Sequence, residues 1–261
     1  MTEVIYETRA SGAWIRINRP EAMNSLSVEV LDGIMDGLRK AREDDDVRVL
    51  VLTGTGKAFC AGADLKEILS LRGDDLVRRH RQFLSDAGAV FEAIEMFPKP
   101  VISAVNGLAL AGGLELILCG DLVIASEAAK LGDAHANYGI LPGGGASVRL
   151  PRTVGPTMAN YLFFTGDFLP ASKLVACGLV NEVVPPEELE TRVAELVEVI
   201  ATKSPLGLAR LKQLARDGLA QEVPTGVRLE LLMSEAHAHS HDFVEGLTAF
   251  SEGRPPKFLG R

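Results

Sequence analysis

The chain is poor in aromatic residues, at 5%, with a single tryptophan and three tyrosines among 261 residues. So thin a supply gives no stacking platform for nucleobases. Positive charge is also short: 27 Lys+Arg stand against 35 Asp+Glu, a formal net charge of −8 at pH 7. Lacking a basic stripe, the chain is expected to bind neither nucleic acid nor an anionic membrane surface. Cysteines number three, Cys60, Cys119 and Cys177, with no CxxC pair. A disulfide framework and a thiolate metal site are therefore not expected, whereas a reducing, cytoplasmic compartment is. The most apolar stretch, Leu108 to Cys119, contains Glu115 and falls short of the ~20 residues that span a bilayer. The start, Met1-Thr2-Glu3-Val4, carries an early acid and no basic-then-apolar order, so no signal peptide is expected.

Phosphate-cradling motifs are missing too, although there are 26 glycines. Gly54-Thr55-Gly56-Lys57 lacks the spacing and the Ser/Thr of a nucleotide P-loop. No GxGxxG opens a helix after the first strand, and no GxSxG elbow occurs. Nucleotide hydrolases, dinucleotide dehydrogenases and α/β-hydrolases all lose ground on these absences.

What is present is ordinary globular material, 47% hydrophobic and 24% charged, enough for one large domain, or one domain plus a small appendage, with a sizeable core. Val4-Ile5-Tyr6 and Trp14-Ile15-Arg16-Ile17 read as a hairpin turned at Ser11-Gly12. Ser27 is placed to cap a helix carrying Leu31, Ile34, Met35 and Leu38 at helical spacing. Val47 to Thr53, Val101 to Val105 and Asp121 to Ala125 read as buried strands, and Asp75 to Phe97 as a long helix stopped by Pro98 and Pro100. Beyond Pro186 the pattern is helical, with breaks near Ser204-Pro205 and Gln221 to Pro224. The strands at Val49, Val101 and, less clearly, Val123 each run into a small-residue loop, and the first two then enter a short helix. Such repetition predicts stacked strand-loop-helix turns rather than a doubly wound sheet.

Two loops are candidates for chemistry: Cys60-Ala61-Gly62-Ala63-Asp64 and Leu110-Ala111-Gly112-Gly113. Small residues let the backbone approach a ligand, and a helix start leaves free N–H groups. Two such groups converging on one point would hold a developing oxyanion. Close strand–helix packing would favour the same residues. Glu115 is the one charged residue between Asn106 and Asp121, on a helix that is otherwise apolar all round. Burial raises a lone carboxylate's pKa, as a general acid or base requires, unless an unseen Arg pairs with it. Helical side chains lean toward the N-terminus, so Glu115 can reach an oxyanion held at the Gly112 amide.

These residues give the sequence its resemblance to a known family. Lys57-Ala58-Phe59-Cys60-Ala61-Gly62-Ala63-Asp64-Leu65-Lys66 resembles the first signature of the enoyl-CoA hydratase/isomerase (crotonase) superfamily. Asn106-Gly107 through Ala111-Gly112-Gly113-Leu114-Glu115-Leu116 to Cys119-Gly120-Asp121 resembles its second. Arg19-Pro20, Asn24-Ser25-Leu26, Leu141-Pro142-Gly143-Gly144-Gly145, Arg149-Leu150, Thr165-Gly166 and Gly178-Leu179-Val180 extend the likeness along nearly the whole chain. The resemblance implies an α/β fold, a crotonase-like ββα spiral over residues 1–200, with a helical trimerisation region over 201–261. It also implies a homotrimer or dimer of trimers, an acyl-CoA thioester substrate, and no cofactor beyond the coenzyme A of that substrate. By position, the amides of Ala63 and Gly112 would form the oxyanion hole. Ala22, Leu26, Ala61, Asp64, Leu65, Lys66, Gly113, Pro142 and Gly143 would lie along the substrate.

Three places need separate reading. Typical hydratases of the family carry two glutamates; Glu115 matches the first, but the second position holds His135. Histidine titrates near pH 6.5 and moves protons readily, with Asp133 or a backbone carbonyl available to fix its tautomer. The other reading is a loop histidine facing water. The pair Glu115 and His135 implies enoyl-CoA hydration first. C–C cleavage by a hydrolase or lyase, double-bond isomerisation, and a non-catalytic acyl-CoA binding protein are the alternatives. Near the C-terminus, Phe250-Ser251-Glu252-Gly253-Arg254 has glycine where the family usually places a CoA-contacting lysine, leaving Arg254 or Lys257 as substitutes. His237, His239 and His241 form an HxHxH, but one helix face holds just His237 and His241, so no metal is expected.

Overall fold

The computed structural model describes residues 2–69 and 71–261; Met1, part of the N-terminal reading, lies outside them. Strands β1 (Val4–Arg9) and β2 (Gly12–Ile17) form the opening antiparallel hairpin, with Ala10 at φ 49° in the turn. Helix α1 (Val28–Glu43) starts where the Ser27 hydroxyl accepts the Val30 amide at 3.2 Å. Its inner stripe is Val30, Leu31, Ile34 and Leu38; Met35 lies outside it, 37% exposed, because it is rotated about 100° from Ile34.

The chain then makes three similar turns. The first runs through β3 (Val49–Gly54) and β4 (Ala58–Cys60) into α2 (Lys66–Leu69) and the long α3 (Gly73–Glu95). The second runs through β5 (Val101–Val105) and β6 (Leu108–Leu110) into α4 (Gly112–Leu118). The third has β7 (Leu122–Ser126) and β8 (Lys130–Gly132), then a 3₁₀ turn, His135–Tyr138, in place of a helix. Helices α5 (Ala146–Val154) and α6 (Pro156–Thr165) precede β9 (Leu169–Pro170) and β10 (Glu182–Val184).

First strands of each turn lie parallel in one sheet, ordered β1-β2-β3-β5-β7-β10; second strands build another, ordered β4-β6-β8-β9. This is the stacked repetition that the strand-loop-helix pattern predicts. Every residue of β3 and β5 is buried, since both faces of a parallel sheet are covered. Leu50, Leu52, Val101 and Val105 face the interior of the turns with α1, α3 and α4. Val49, Val51, Ile102 and Ala104 face Trp14 and α7 (Leu189–Ala201) on the other side.

Helices α8 (Pro205–Leu219), α9 (Val223–Ala238) and α10 (His241–Glu252) close the chain. The break predicted at Gln221 to Pro224 ends two residues early, because a proline is tolerated in the first turn of a helix and Pro224 sits there in α9. An ion pair, Lys212 to Asp121 at 2.7 Å, ties α8 to the residue just before β7. These helices leave large apolar side chains in the open, among them Leu219, Val223, Leu231 and Phe250. Among the described residues, no helix is long and apolar enough to cross a membrane.

Candidate active site

The two small-residue loops meet. Leu26 and Ala63 pair as a parallel bridge, in which Leu26 N–H donates to the Gly62 carbonyl and Asp64 N–H to the Leu26 carbonyl, both at 2.8 Å. Backbone groups alternate along an extended strand, so the Ala63 N–H points away from Leu26. Opposite it, Ala111 takes φ 49° and ψ −117°, a conformation rare outside glycine, immediately before α4 begins at Gly112. A Cβ built on Gly112 would lie 3.7 Å from the Ala63 nitrogen and 3.1 Å from Leu26 Cδ1, so the two loops approach closely here and a larger residue would press on Leu26. Among the described residues, neither the Ala63 nor the Gly112 N–H has a protein acceptor. Both residues line one cavity of about 310 Å³.

Glu115, 3% exposed, reaches the same cavity from the first turn of α4. Its Oε1 accepts the Gly144 N–H at 2.7 Å and the Ala146 N–H at 3.0 Å. Arg149 does not pair with it, because its guanidinium is spent on Glu95, at 2.5 Å, and on the Gly144 carbonyl, at 2.8 Å. Burial raises the Glu115 pKa above the ordinary carboxylate value, and the two amides and nearby His135 offset this in part. Among the described residues Oε2 accepts no hydrogen bond, so one oxygen is anchored and the other is available to a reactant.

His135 opens the 3₁₀ turn after β8 and lines the cavity beside Glu115. Its side chain is 12% exposed, and its Nδ1 lies 3.1 Å from Oδ1 of the buried Asp133. Burial disfavours the imidazolium, but the Asp133 contact and the charges of Asp133 and Glu115 outweigh it and hold the pKa above its usual value. The reading of a loop histidine facing water does not hold.

Other candidate residues divide. Leu26, Ala61, Asp64, Leu65 and Gly143 line the cavity together with the four already described. Asp64 is partly spent on structure, accepting from Arg19 Nη2 at 3.0 Å and from the Lys66 amide at 3.1 Å. Ala22, Lys66, Gly113 and Pro142 do not line it. Gly113 is a packing glycine, since a Cβ there would lie 2.0 Å from the Cys60 carbonyl oxygen. Ala22 ends a 3₁₀ turn (Pro20–Ala22) that buried Asn24 pins to the Thr55 and Ala58 carbonyls. A wider hollow of about 540 Å³ opens among Thr202, Lys203, Pro256 and Phe258; of the residues singled out in the sequence, Lys257 lines it.

Sequence reasoning missed the anchor of Glu115 and did not single out the individual residues of the cavity wall. The anchor had a signal, a run of glycines directly before a helix start, where free amides are expected. The wall adds Arg79, His80, Phe83, Leu84 and Phe91 from one side of α3, and Tyr138, Ile140 and Phe168 across from them. Elsewhere, Arg254 is held by Glu245 and Glu252 of its own chain. His237 Nδ1 lies 2.8 Å from Arg210, and His241 lies beside Asp242. Among the described residues, no three metal-capable side chains cluster.

Residues 7–261 match the family model for enoyl-CoA hydratase/isomerase. The chain is 38% identical over 259 residues to a crotonyl-CoA hydratase of Syntrophomonas wolfei, a match covering 99% of this chain and 98% of that one. It is 35% identical to a short-chain-enoyl-CoA hydratase of Clostridium acetobutylicum, across 97% and 96% of the two chains. The crystal structure of an enoyl-CoA hydratase from Bacillus anthracis superposes with a TM-score of 0.94 at 37% identity, covering 99% of this chain and all of that one.

Proposed function

Since the chain belongs to the enoyl-CoA hydratase/isomerase family and has its crotonase fold, we propose that it adds water to the double bond of a 2-enoyl-CoA thioester. The observation that carries this reading is one cavity wall bearing, among the described residues, two amides without a protein acceptor, a carboxylate with one oxygen unbonded and a mostly buried imidazole. Oxygen from water attacks the β-carbon while Glu115 takes the water proton. The π electrons move toward the thioester oxygen, where the N–H groups of Ala63 and Gly112 receive the negative charge. Each such donor is worth about 3 kcal/mol in the transition state. The enolate then collapses as the α-carbon takes a proton from His135. One water is consumed; Glu115 then releases its proton to solvent and His135 takes one up, so both groups return to their starting states.

The coenzyme A portion would run past Leu26, Ala61 and Leu65 toward the surface, with Ala22 and Lys66 near its outer end. No cofactor takes part beyond that portion of the substrate. The apolar side chains left open on α8, α9 and α10 support a homotrimer or a dimer of trimers formed through residues 201–261. Two of the three cysteines are buried thiols with pKa pushed up to about 12, which fits work in the reducing cytoplasm.

Crotonyl-CoA supplied to the purified protein should lose its enoyl-thioester absorbance. Glu115→Gln and His135→Ala should each abolish that loss. Thioester binding without turnover, or cleavage of a β-keto thioester with no hydration, would replace the reading.

A further inference from the structure

Asp133, one of the two groups the sequence offers to fix the His135 tautomer, is among the few described carboxylates that are almost wholly enclosed, at 2% exposure. The end of β8 holds it firmly. The Gly132 carbonyl accepts the Ala111 N–H at 3.1 Å, which ties this strand end to the oxyanion segment. On the other side a Cβ at 132 would lie 2.4 Å from the Asp167 carbonyl oxygen, so residue 132 is tightly enclosed. Ala134 then takes φ 59° and ψ −17°, and the chain doubles back so that His135 N–H donates to the Asp133 carbonyl at 2.8 Å. That reversal brings imidazole Nδ1 to 3.1 Å from Asp133 Oδ1. Asn137 pins the following turn by donating to the Gly166 carbonyl at 2.9 Å.

We propose that Asp133 is a positioning residue for His135, fixing the proton on Nδ1 and presenting Nε2 to the cavity as the nitrogen that gives up its proton. An ionised carboxylate accepts hydrogen bonds and cannot donate them, so the facing nitrogen must carry hydrogen. A buried carboxylate is costly unless a donor meets it, and among the described residues the imidazole is its ion-pair partner. The inference rests on the hydration reading, where the residue facing the α-carbon must arrive protonated. Asp133 gives an imidazole, in place of a carboxylic acid, the means to do so. Other titratable groups lining the same cavity are Glu115 from α4, Arg79 and His80 from α3, Asp64 from the first loop and Tyr138 from the turn itself. Of these, Glu115 is the one that adds to the effect of Asp133.

The test is nitrogen NMR of the full chain, whose five histidines are few enough for His135→Gln to assign the signal. In the native protein the neutral imidazole of His135 should carry its proton on Nδ1. In Asp133→Asn, which keeps the shape, its titration should move to lower pH. Turnover of crotonyl-CoA by that variant should fall about 100-fold in kcat with KM little changed, and its alkaline limb should move to lower pH. A neutral tautomer protonated on Nε2 in the native protein overturns the proposal, and this readout does not depend on Asp133→Asn folding. An unmoved titration in Asp133→Asn overturns it as well. If the native protein fails to hydrate any enoyl-CoA while the spectra behave as expected, the hydration reading falls and the Asp133–His135 arrangement stands.

Discussion

The methyl of Ala111 occupies the space that a side chain on Gly62 would need. A Cβ at 62 would lie 3.0 Å from it and 3.3 Å from the Leu110 carbonyl oxygen. Gly62 also has φ +102°, where other residues are strained. The two residues flank the two amides assigned to the thioester oxygen, so the fit between them sets the spacing of those amides.

Gly62→Ala should therefore lower kcat for crotonyl-CoA hydration by about 100-fold, through misplaced donors, with a smaller change in KM. It should also cost about 1–3 kcal/mol of stability from the strained backbone. Steady-state kinetics with a denaturant titration checks both. Full activity in a destabilised protein would show that the loops adjust independently of one another.

Glu115→Gln separates chemistry from stability. The amide oxygen of glutamine can still accept from Gly144 and Ala146, so the fold should persist while hydration falls by at least about 100-fold. The native Glu115 pKa is raised by burial. A raised carboxylate pKa means that the charged form costs stability as pH rises through the folded value. The variant should accordingly melt at or above the native temperature at pH 8. That advantage should vanish below about pH 4.3, where the native carboxyl is neutral in both states. Thermal melts across this range provide the check, and a variant less stable at pH 8 would contradict the account of Glu115.

Hydration requires Glu115 ionised and His135 protonated, so kcat/KM should follow a bell. Its acid limb belongs above the ordinary carboxylate value, and its alkaline limb above about 6.5, in keeping with the upward direction of both groups. The two are coupled, and the limbs belong to the pair. His135 has a raised pKa, so its stabilising contribution is complete below about pH 6.5 and is lost as pH rises through the folded value. Melts of native protein and His135→Ala should thus converge toward alkaline pH. An alkaline limb retained in His135→Ala would assign it to another group.

Much of this was legible in the chain because it rests on local pattern. The buried strands, the Ser27 cap and the lone acid on an apolar helix follow from spacing and burial. Val49 and Leu50 show the limit: both are apolar and buried, and nothing in their order says which faces α7 and which faces α3. The Gly144 and Ala146 amides that hold Glu115 lie 29 and 31 residues away in sequence, so their meeting depends on how the third turn stacks on the second. Gly113 illustrates the opposite error. It shares a motif with Gly112, yet one glycine faces the cavity and its neighbour faces Cys60, because successive helical positions differ by about 100°.

The C-terminal segment hangs on one buried carboxylate. Asp242, 2% exposed, accepts from the amides of Leu259 and Gly260 and from the Ser204 hydroxyl at 2.5 Å. It thereby joins the starts of α8 and α10 to the tail. Burial alone would raise its pKa, but Ser204, those amides and His241 together hold it below the ordinary value. A depressed carboxylate pKa contributes stability above about pH 3.9 that is lost as pH falls through the folded value. Asp242→Asn, which keeps the size but weakens the acceptors, should cost about 1–3 kcal/mol at pH 7. The difference from native protein should shrink as the pH drops below about 4. Amide exchange should quicken at Leu259 and Gly260, while Glu115 and His135 keep their chemistry in the folded fraction. Unchanged exchange at those two amides would mean that the tail is held by something other than Asp242.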